Sequence, residues 1–285
     1  AEALDVDGTT PLAIDQRGTG YTRIIASLVD IGAFEEQTVV IPPAYYADMV
    51  VADAPLVYFR LGESGGGAAV DSSGNARDGS YLGAPTLGVA GAIVTDAANT
   101  AVGFDGVDDA ILVPDSPALR PNQLTLEAWV QSNNRSGYEA LFLKSSTVRW
   151  NDGYGLYQVD GQLFFFVNDW KSTRVAANLA SAGGGYVHVA ATYDGSALRL
   201  YLNGELASEL PYSQPINHST APLMIGGSAT GFYFSGNLDE AAGGDLSCDI
   251  NGDLAIDQKD VCQILSILGC QFGDVNLDGS VDATD

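Results

Sequence analysis

The chain has 285 residues, an apolar content of 46% and a net charge of −24, which arises from 36 acidic and 12 basic side chains. This charge argues against binding to nucleic acid or to an anionic membrane surface, because both require a basic patch. The sequence contains no apolar run of about 18 residues, so we expect no membrane span. The length predicts two or three domains. The chain begins at Ala1, which suggests a mature or excised segment.

The N-terminal segment, residues 1–38, contains the stretches 14–18 (IDQRG) and 29–35 (VDIGAFE). These stretches resemble the closing segment of secreted bacterial parallel β-helix proteins of the adhesin type. A terminal coil cannot bury its apolar face without the coils on which it stacks, so an ordinary pair of N-terminal strands is the alternative. Residues 39–43, which include Pro42 and Pro43, are typical of a short stiff linker.

Residues 44–242 predict the main domain, because short alternating segments are separated by Asp-Gly and Asn-Gly turns. Residues 124–131 (LTLEAWVQ) place Leu124, Leu126, Ala128 and Val130 on one face. Residues 154–160 and 162–168 predict a hairpin, and residues 186–193, 197–203 and 205–210 predict a meander. The pattern indicates a mainly β fold, an antiparallel β-sandwich.

Five stretches of this domain carry a resemblance: 71–75 (DSSGN), 104–109 (FDGVDD), 126–130 (LEAWV), 188–195 (HVAATYDG) and 202–205 (LNGE). In this order they resemble laminin-G-like, concanavalin A-type domains of secreted bacterial proteins. The resemblance implies a two-sheet jelly roll, calcium at one rim, and binding of glycan or protein. That family continues past residues 238–240 into a final alternating strand. Here residues 241–244 (AAGG) follow at once, so we expect the last strand to be short or supplied from elsewhere.

The sequence shows no side-chain set that is typical of catalysis. Glycoside hydrolysis needs two carboxylates about 5 to 10 Å apart, and Glu127 stands alone opposite the apolar face of its strand. His188 lies within a strand, which favours a structural role, and His218 lies in a loop. We therefore predict a non-catalytic domain, with an enzyme of the concanavalin-type superfamily as the alternative.

Aromatic side chains near turns predict a platform for sugar rings. Trp150, Tyr154 and Trp170 are the candidate ligand-binding residues, since ring faces stack on the C–H groups of sugars. The wider set of candidates adds Tyr157, Phe232 and Tyr233. Phe164 and Phe166 share one strand face and are predicted to lie in the core.

A calcium site on the sandwich is predicted at Asp71, Asn75 and Asp239. Asp71 and Asn75 share a loop that contains glycine, and Asp239 lies near the end of the domain. The resemblance implies that carboxylates from these two regions share an ion. The alternative is that Asp71 and Asn75 cap a surface turn.

The C-terminal segment, residues 243–285, contains two twelve-residue stretches, 249–260 and 274–285, with the same spacing of oxygen side chains. They match positions 1, 3, 5, 9 and 12 of an EF-hand loop, in which position 7 offers its backbone carbonyl. The predicted Ca²⁺ ligands are Asp249, Asn251, Asp253, Ala255, Asp257 and Asp260 in the first loop, and Asp274, Asn276, Asp278, Ser280, Asp282 and Asp285 in the second. We expect a small α/loop EF-hand-like calcium module, with two acidic solvated turns as the alternative.

The loops end in Asp rather than Glu, and residues 261–268 (VCQILSIL) between them predict a short helix. This arrangement resembles a type I dockerin, which implies binding to a cohesin-like scaffold through loop positions 10 and 11. Those partner-binding positions are Gln258, Lys259, Ala283 and Thr284. Since this sequence ends at Asp285, before the position of the second helix of that family, we expect an incomplete second repeat. Leu254 also replaces the Gly that is usual at position 6.

Cys248, Cys262 and Cys270 all lie in this C-terminal segment. A disulfide between Cys248 and Cys270 would leave Cys262 as a core thiol and would agree with an oxidising extracellular setting. Three reduced cysteines are the alternative.

These inferences together predict an extracellular or cell-surface module that depends on calcium, binds polysaccharide or surface glycan, and is tethered by a dockerin-like tail. The alternative is a structural segment of a calcium-rigidified bacterial adhesin or filament, in which neighbouring copies of the chain contact one another.

Overall fold

The computed structural model describes residues 45–94, 96–133, 136–146, 149–179 and 185–244, together with two short strands near the N-terminus. The chain divides into two compact units, Ala1–Pro42 and Pro43–Asp285. In the first unit, β1 (Ile24–Ile25) pairs antiparallel with β2 (Leu28–Val29). The rest of the predicted β-helix remnant, the linker 39–43 and the calcium module beyond Gly244 lie outside the described residues.

The described part of the second unit begins with one short helix, α1 (Tyr45–Ala52), and continues almost entirely in strands. The strands are β3 (Val57–Phe59), β4 (Ala68–Ala69), β5 (Gly79–Leu82), β6 (Thr86–Ala90), β7 (Thr100–Asp105), β8 (Ala110–Val113), β9 (Leu124–Ser132), β10 (Tyr138–Lys144), β11 (Tyr154–Val159), β12 (Gln162–Val167), β13 (Arg174–Asn178), β14 (Val187–Tyr193), β15 (Ala197–Leu202), β16 (Glu205–Pro211), β17 (Leu223–Ile225) and β18 (Ser235–Gly244). A 3₁₀ turn spans Pro117–Leu119. Among these residues, no helix has the length and apolar character that crossing a membrane would require.

The strands form two eight-stranded antiparallel sheets. The first sheet has the order β13-β12-β11-β10-β17-β8-β5-β4. The second has the order β16-β15-β14-β9-β18-β7-β6, and β3 also pairs with β18. The predicted mainly β, antiparallel jelly-roll sandwich is thereby confirmed.

Two tight turns explain why the predicted hairpins form. Asp160 and Gly161 join β11 to β12 with φ values of 50° and 80°, and Asn203 and Gly204 join β15 to β16 with 47° and 82°. Positive φ at both central residues matches the right-handed twist of a hairpin, and Asp, Asn and Gly tolerate it best.

The main hydrophobic core lies between the sheets. Leu124, Leu126, Ala128 and Val130 of β9 all point into it, as the alternation predicts. On β12 the inward residues are Leu163, Phe165 and Val167. Phe164 and Phe166 therefore face away from this core and join a smaller hydrophobic cluster, in which Phe166 is fully buried as predicted and Phe164 is partly buried. Periodicity could not decide the matter, because both faces of this strand are apolar.

The prediction that the last strand is short is wrong. β18 runs for ten residues and lies between β9 and β7, with β3 paired to its C-terminal half. The C-terminal end of β18 consists of small residues, because the adjacent chain segments approach it closely. A Cβ atom on Gly243 would lie 3.3 Å from Leu126 Cδ2, and one on Gly244 would lie 3.2 Å from the Leu56 nitrogen.

Candidate functional site

The outer face of the first sheet carries a layer of packed aromatic rings. Trp150, Tyr157 and Phe166 are buried there. The rings of Trp150 and Phe166 are parallel, with 5° between their planes and 6.2 Å between centroids. The Phe166 ring lies across Gly155 of β11, where a Cβ atom would come within 2.7 Å of it. This buried layer is the floor of the candidate site.

Three partly exposed rings stand over that floor. Tyr138 and Phe232 are each 40% exposed, and Trp170 is half-buried. Tyr138 lies perpendicular to Trp170 at 5.5 Å, and its centroid is 5.9 Å from that of Phe232. They border a groove of about 670 Å³, a size within the range of ligand sites. We call it the aromatic groove; it is lined by Tyr138, Arg149, Trp150, Asn151, Asp169, Trp170, Lys171 and Phe232.

Two loops that are bonded to each other hold the tryptophans. The Trp170 amide donates to the Trp150 carbonyl oxygen at 3.2 Å, and the Asn168 amide donates to the Gly153 carbonyl oxygen at 2.8 Å. Gly153 has a φ of +63°, and a Cβ atom there would lie 1.8 Å from the Lys144 oxygen. The Asp169 carboxylate accepts the Lys171 amide at 2.8 Å, which closes the turn that carries Trp170.

Basic side chains lie close to the same rings. The Arg174 guanidinium lies 4.6 Å from the centroid of Phe164, and its Nη1 donates to the Tyr157 hydroxyl at 2.8 Å. Lys171 Nζ lies 5.3 Å from the Trp170 centroid. Such cation–π contacts are attractive, because a positive charge lies over the electron-rich face of an aromatic ring. Burial raises the pKa of Tyr157 to about 12 although the Arg174 charge opposes that shift, so Tyr157 is a neutral hydroxyl at physiological pH.

The predicted ligand residues have different outcomes. Trp150 and Trp170 both line the aromatic groove, and Trp150 is 4% exposed, so it serves mainly as floor. Tyr154 lies in the core between the sheets, and its hydroxyl donates to the Leu119 oxygen at 3.3 Å. Its prediction as a ligand residue is corrected, because residues 154 and 156 point inward while residue 157 points outward. Sequence reasoning missed Tyr138, which follows Gly137 at the start of β10.

A second set of polar groups is buried on the outer face of the second sheet, beneath α1. Glu127 Oε2 lies 3.8 Å from His188 Nε2, since β9 and β14 pair at this point. Burial, with repulsion from Asp53 and Glu240, raises the pKa of Glu127 to about 8. Burial lowers the pKa of His188 to about 4. Both groups are therefore mainly neutral at pH 7.

Glu127 does not stand alone, although the sequence suggested that it does. The pairing of β9 with β18 also brings Asp239 and Glu240 to the outer face of the second sheet. Burial raises the pKa of Asp239 to about 7. Glu240 accepts hydrogen bonds from the Tyr58 hydroxyl and from Asn99 Nδ2. Glu127 is 7% exposed, and Asp239 and Glu240 are fully buried, so these carboxyl groups are not presented to a substrate.

The residues of the predicted calcium site on the sandwich make hydrogen bonds within the chain. Asp71 accepts backbone amide hydrogens from Tyr58, Ser73 and Arg77 at 3.0, 3.0 and 2.8 Å. Burial alone would raise the pKa of Asp71, but the hydrogen bonds that it accepts lower it below its ordinary value. Asn75 donates to the Pro55 oxygen at 2.9 Å. These contacts match the alternative prediction, a capped surface turn.

Asp239 instead accepts the Ala92 amide at 2.8 Å, in the buried set beneath α1. Within the ranges that the structure describes, one group of acidic side chains could share an ion, namely Asp105, Asp108 and Asp109, whose oxygens lie within 4.8 Å of one another. Asp109 accepts the Ala84 and Asp105 amides, so these carboxylates also order the turn between β7 and β8.

The predicted Ca²⁺ ligands from Asp249 to Asp285 lie outside the described residues, and so do the partner positions Gln258, Lys259, Ala283 and Thr284. The same holds for Cys248, Cys262 and Cys270.

Comparison with known proteins agrees with the β-sandwich fold. Residues 105–242 match the Laminin_G_3 family model, described as the concanavalin A-like lectin/glucanases superfamily. The matched residues lie within the β-sandwich. A stretch of 74 residues is 35% identical to Pappalysin-1 of Mus musculus, which covers 24% of this chain and 5% of that protein. The matched stretch is thus a small part of its relative.

Solved structures share the fold at low identity. One is domain 4 of AbnA, a GH43 extracellular arabinanase from Geobacillus stearothermophilus, in complex with arabinotriose; its TM-score is 0.55 at 16% identity, over 74% of this chain and 97% of that one. Another is the binding domain of botulinum neurotoxin DC in complex with rat synaptotagmin II, with a TM-score of 0.53 at 14% identity, over 76% and 52% of the two chains. The chain therefore spans about half the length of that toxin domain. At these identities the comparison shows the fold alone.

Proposed function

We propose that the β-sandwich is a non-catalytic binding domain for polysaccharide or surface glycan, and that the aromatic groove is its site. The observation that carries the proposal is the partial exposure of Tyr138, Trp170 and Phe232 over a buried aromatic floor. Exposed rings on a rigid support lose little side-chain entropy when a flat apolar sugar face stacks on them. Domain 4 of AbnA, which has the same fold, was solved with arabinotriose, and this supports a saccharide as the class of ligand.

A binding role is favoured over hydrolysis by the placement of the acidic groups. Hydrolysis needs two carboxylates about 5 to 10 Å apart on either side of the sugar linkage. The carboxylate that lines the aromatic groove is Asp169, and it accepts the Lys171 amide. The buried carboxyl groups Glu127, Asp239 and Glu240 lie on the other sheet.

The test is a screen of the full chain on a broad glycan array, followed by calorimetric titration of each ligand that binds. We expect Tyr138→Ala and Trp170→Ala each to weaken binding about ten-fold or more, where ten-fold corresponds to ~1.4 kcal/mol. Leu206→Ala is the matched control, since Leu206 is 43% exposed on β16 of the second sheet. Equal affinity of the Tyr138, Trp170 and Leu206 variants would remove the aromatic groove as the site.

We further propose that residues 249–285 bind Ca²⁺ and act as a dockerin-like tether to a cohesin-like scaffold, in an extracellular or cell-surface setting. The twice-repeated spacing of oxygen side chains supports this, because hard cations take six to eight oxygen ligands at this spacing. The alternative is a calcium-rigidified structural segment that contacts neighbouring copies. Sedimentation with and without calcium separates the two: a monomer that binds cohesin supports the tether, and calcium-driven self-association supports the structural segment.

A further inference from the structure

Four basic side chains of the described residues form ion pairs with carboxylates. The ion pairs join Arg60 to Asp96 and Glu240, Arg120 and Lys144 to Asp115, and Arg199 to Asp194 and Glu209. Arg77 donates to the Leu56 carbonyl oxygen at 2.7 Å. The lysine and arginine residues that remain in the described ranges are Arg149, Lys171 and Arg174. For these three, as for Arg77, no carboxylate of the described residues lies within ion-pair distance.

Of the four described bases without an ion pair, Arg149, Lys171 and Arg174 lie at the aromatic groove. Arg149 and Lys171 are exposed and line it directly, one beside Trp150 and the other beside Trp170. Arg174 is half-buried behind them, where its guanidinium lies 5.7 Å from the Trp170 centroid. It is held there by the Tyr157 hydroxyl and the face of Phe164. The bases therefore surround a single apolar platform.

This arrangement reverses the charge of the molecule locally. The whole chain has a net charge of −24, whereas Arg149, Lys171 and Arg174 lie together at this groove. The acidic residue of the aromatic groove, Asp169, is engaged by the Lys171 amide at 2.8 Å. A groove that keeps unpaired bases within an acidic protein complements an anionic ligand.

We propose that the aromatic groove selects acidic saccharides, whose sugar ring stacks on Tyr138 and Trp170 while Arg149 and Lys171 bind a carboxylate or sulfate group on that ring. Arg174 positions the aromatic platform and adds its charge from behind. A guanidinium and an ammonium both form charge-assisted hydrogen bonds with such oxyanions. This inference rests on the proposed function of the groove in glycan binding and names the class of glycan.

The experiment compares two ligands with the same sugar backbone, tetragalacturonic acid and its fully methyl-esterified form, in which each carboxylate is replaced by a neutral ester. Each is titrated calorimetrically into the full chain, and a heparin-derived tetrasaccharide tests sulfate as the source of the anion. We expect at least one acidic ligand to bind ten-fold or more tightly than the methyl ester, and its binding to weaken as salt is raised. The double variant Arg149→Gln/Lys171→Gln should lose this preference.

The control is Arg199→Gln, which also removes positive charge but lies on β15 of the other sheet, paired with Asp194 and Glu209. It should retain the preference for the acidic ligand, and thermal melting of each variant checks that it is folded. Retention of the preference by the double variant, or its equal loss in Arg199→Gln, would overturn the assignment to the aromatic groove.

The remaining outcomes distinguish this inference from the proposed function. If the methyl ester or a neutral arabino-oligosaccharide binds as tightly as the acids and Trp170→Ala abolishes that binding, glycan binding stands and the acidic selectivity is overturned. If none of the saccharides binds, or if a polyglutamate peptide binds in their place, both are overturned.

Discussion

The rings of Tyr138 and Trp170 stand perpendicular, with 88° between their planes and 5.5 Å between their centroids. They come from separate connections, because Tyr138 opens β10 and Trp170 lies in the turn between β12 and β13. The edge-to-face contact is favoured by the quadrupoles of the two rings. It therefore couples two loops that border one groove.

A double-mutant cycle on this pair should show that coupling. Tyr138→Ala and Trp170→Ala, alone and together, are expected to give a coupling free energy of ~0.5–1.5 kcal/mol in denaturant unfolding, as is typical of aromatic pairs. The cycle of Tyr138→Ala with Leu206→Ala, on the second sheet, should be additive. A coupling no larger than that of the control cycle would show that the two rings do not support each other.

The buried floor should matter more for stability than the exposed rim. Phe166 is fully buried beneath Trp150, so Phe166→Ala is expected to lower the free energy of unfolding by ~3–5 kcal/mol through loss of burial and the cavity that remains. Phe232→Ala, at a ring that is 40% exposed, should cost clearly less. Chemical denaturation measures both, and equal costs would contradict the division into floor and rim.

The stability of the sandwich should depend on pH through Glu127. Its folded pKa of about 8 lies above the ordinary value of 4.5, so the folded state holds a proton that the unfolded state has released. Stability is therefore lost as pH rises from about 5 through 8, by at most ~1.4 kcal/mol per pH unit for one proton. Asp239, with its pKa raised to about 7, acts in the same direction.

Glu127→Gln should reduce this loss of stability with rising pH, as measured by urea unfolding at several pH values. Glu205→Gln, at an exposed position of β16, is the control and should leave that loss unchanged. On the acid side the sign is opposite for His188: its folded pKa of about 4 lies below 6.5, so stability is lost as pH falls through that interval. If the unfolding free energies of Glu127→Gln and the wild type fall equally with rising pH, Glu127 is ionised in the folded state and the prediction is wrong.

Calcium binding by the tail should be measurable directly. Calorimetric titration of the full chain is expected to show two sites, and Asp249→Asn and Asp274→Asn should each weaken one of them, since a first-position carboxylate is a direct ligand. Asp245→Asn, which precedes both loops in the sequence, is the control. A titration with no site sensitive to either variant would contradict the EF-hand-like assignment.

Several features of the fold could be read directly from the sequence. The alternation of β9 places Leu124, Leu126, Ala128 and Val130 correctly in the core, because a half-buried strand has a period of two. The Asp160-Gly161 and Asn203-Gly204 turns were predictable because few residues tolerate positive φ. The aromatic site was predictable in part, since turns next to Trp150 and Trp170 mark side chains that leave the core.

Other features were decided only by the tertiary structure. Tyr154 lies in the core and Tyr157 outside it, because β11, like β12, is apolar on both faces and its register is set by its neighbours. Tyr138 and Phe232 meet the tryptophans across connections that are far apart in the chain. Glu127 gains His188 and Glu240 as neighbours through strand pairing that no local pattern encodes. Sequence periodicity and turn chemistry are local and specify strands and hairpins, whereas the order of strands in each sheet decides which side chains meet.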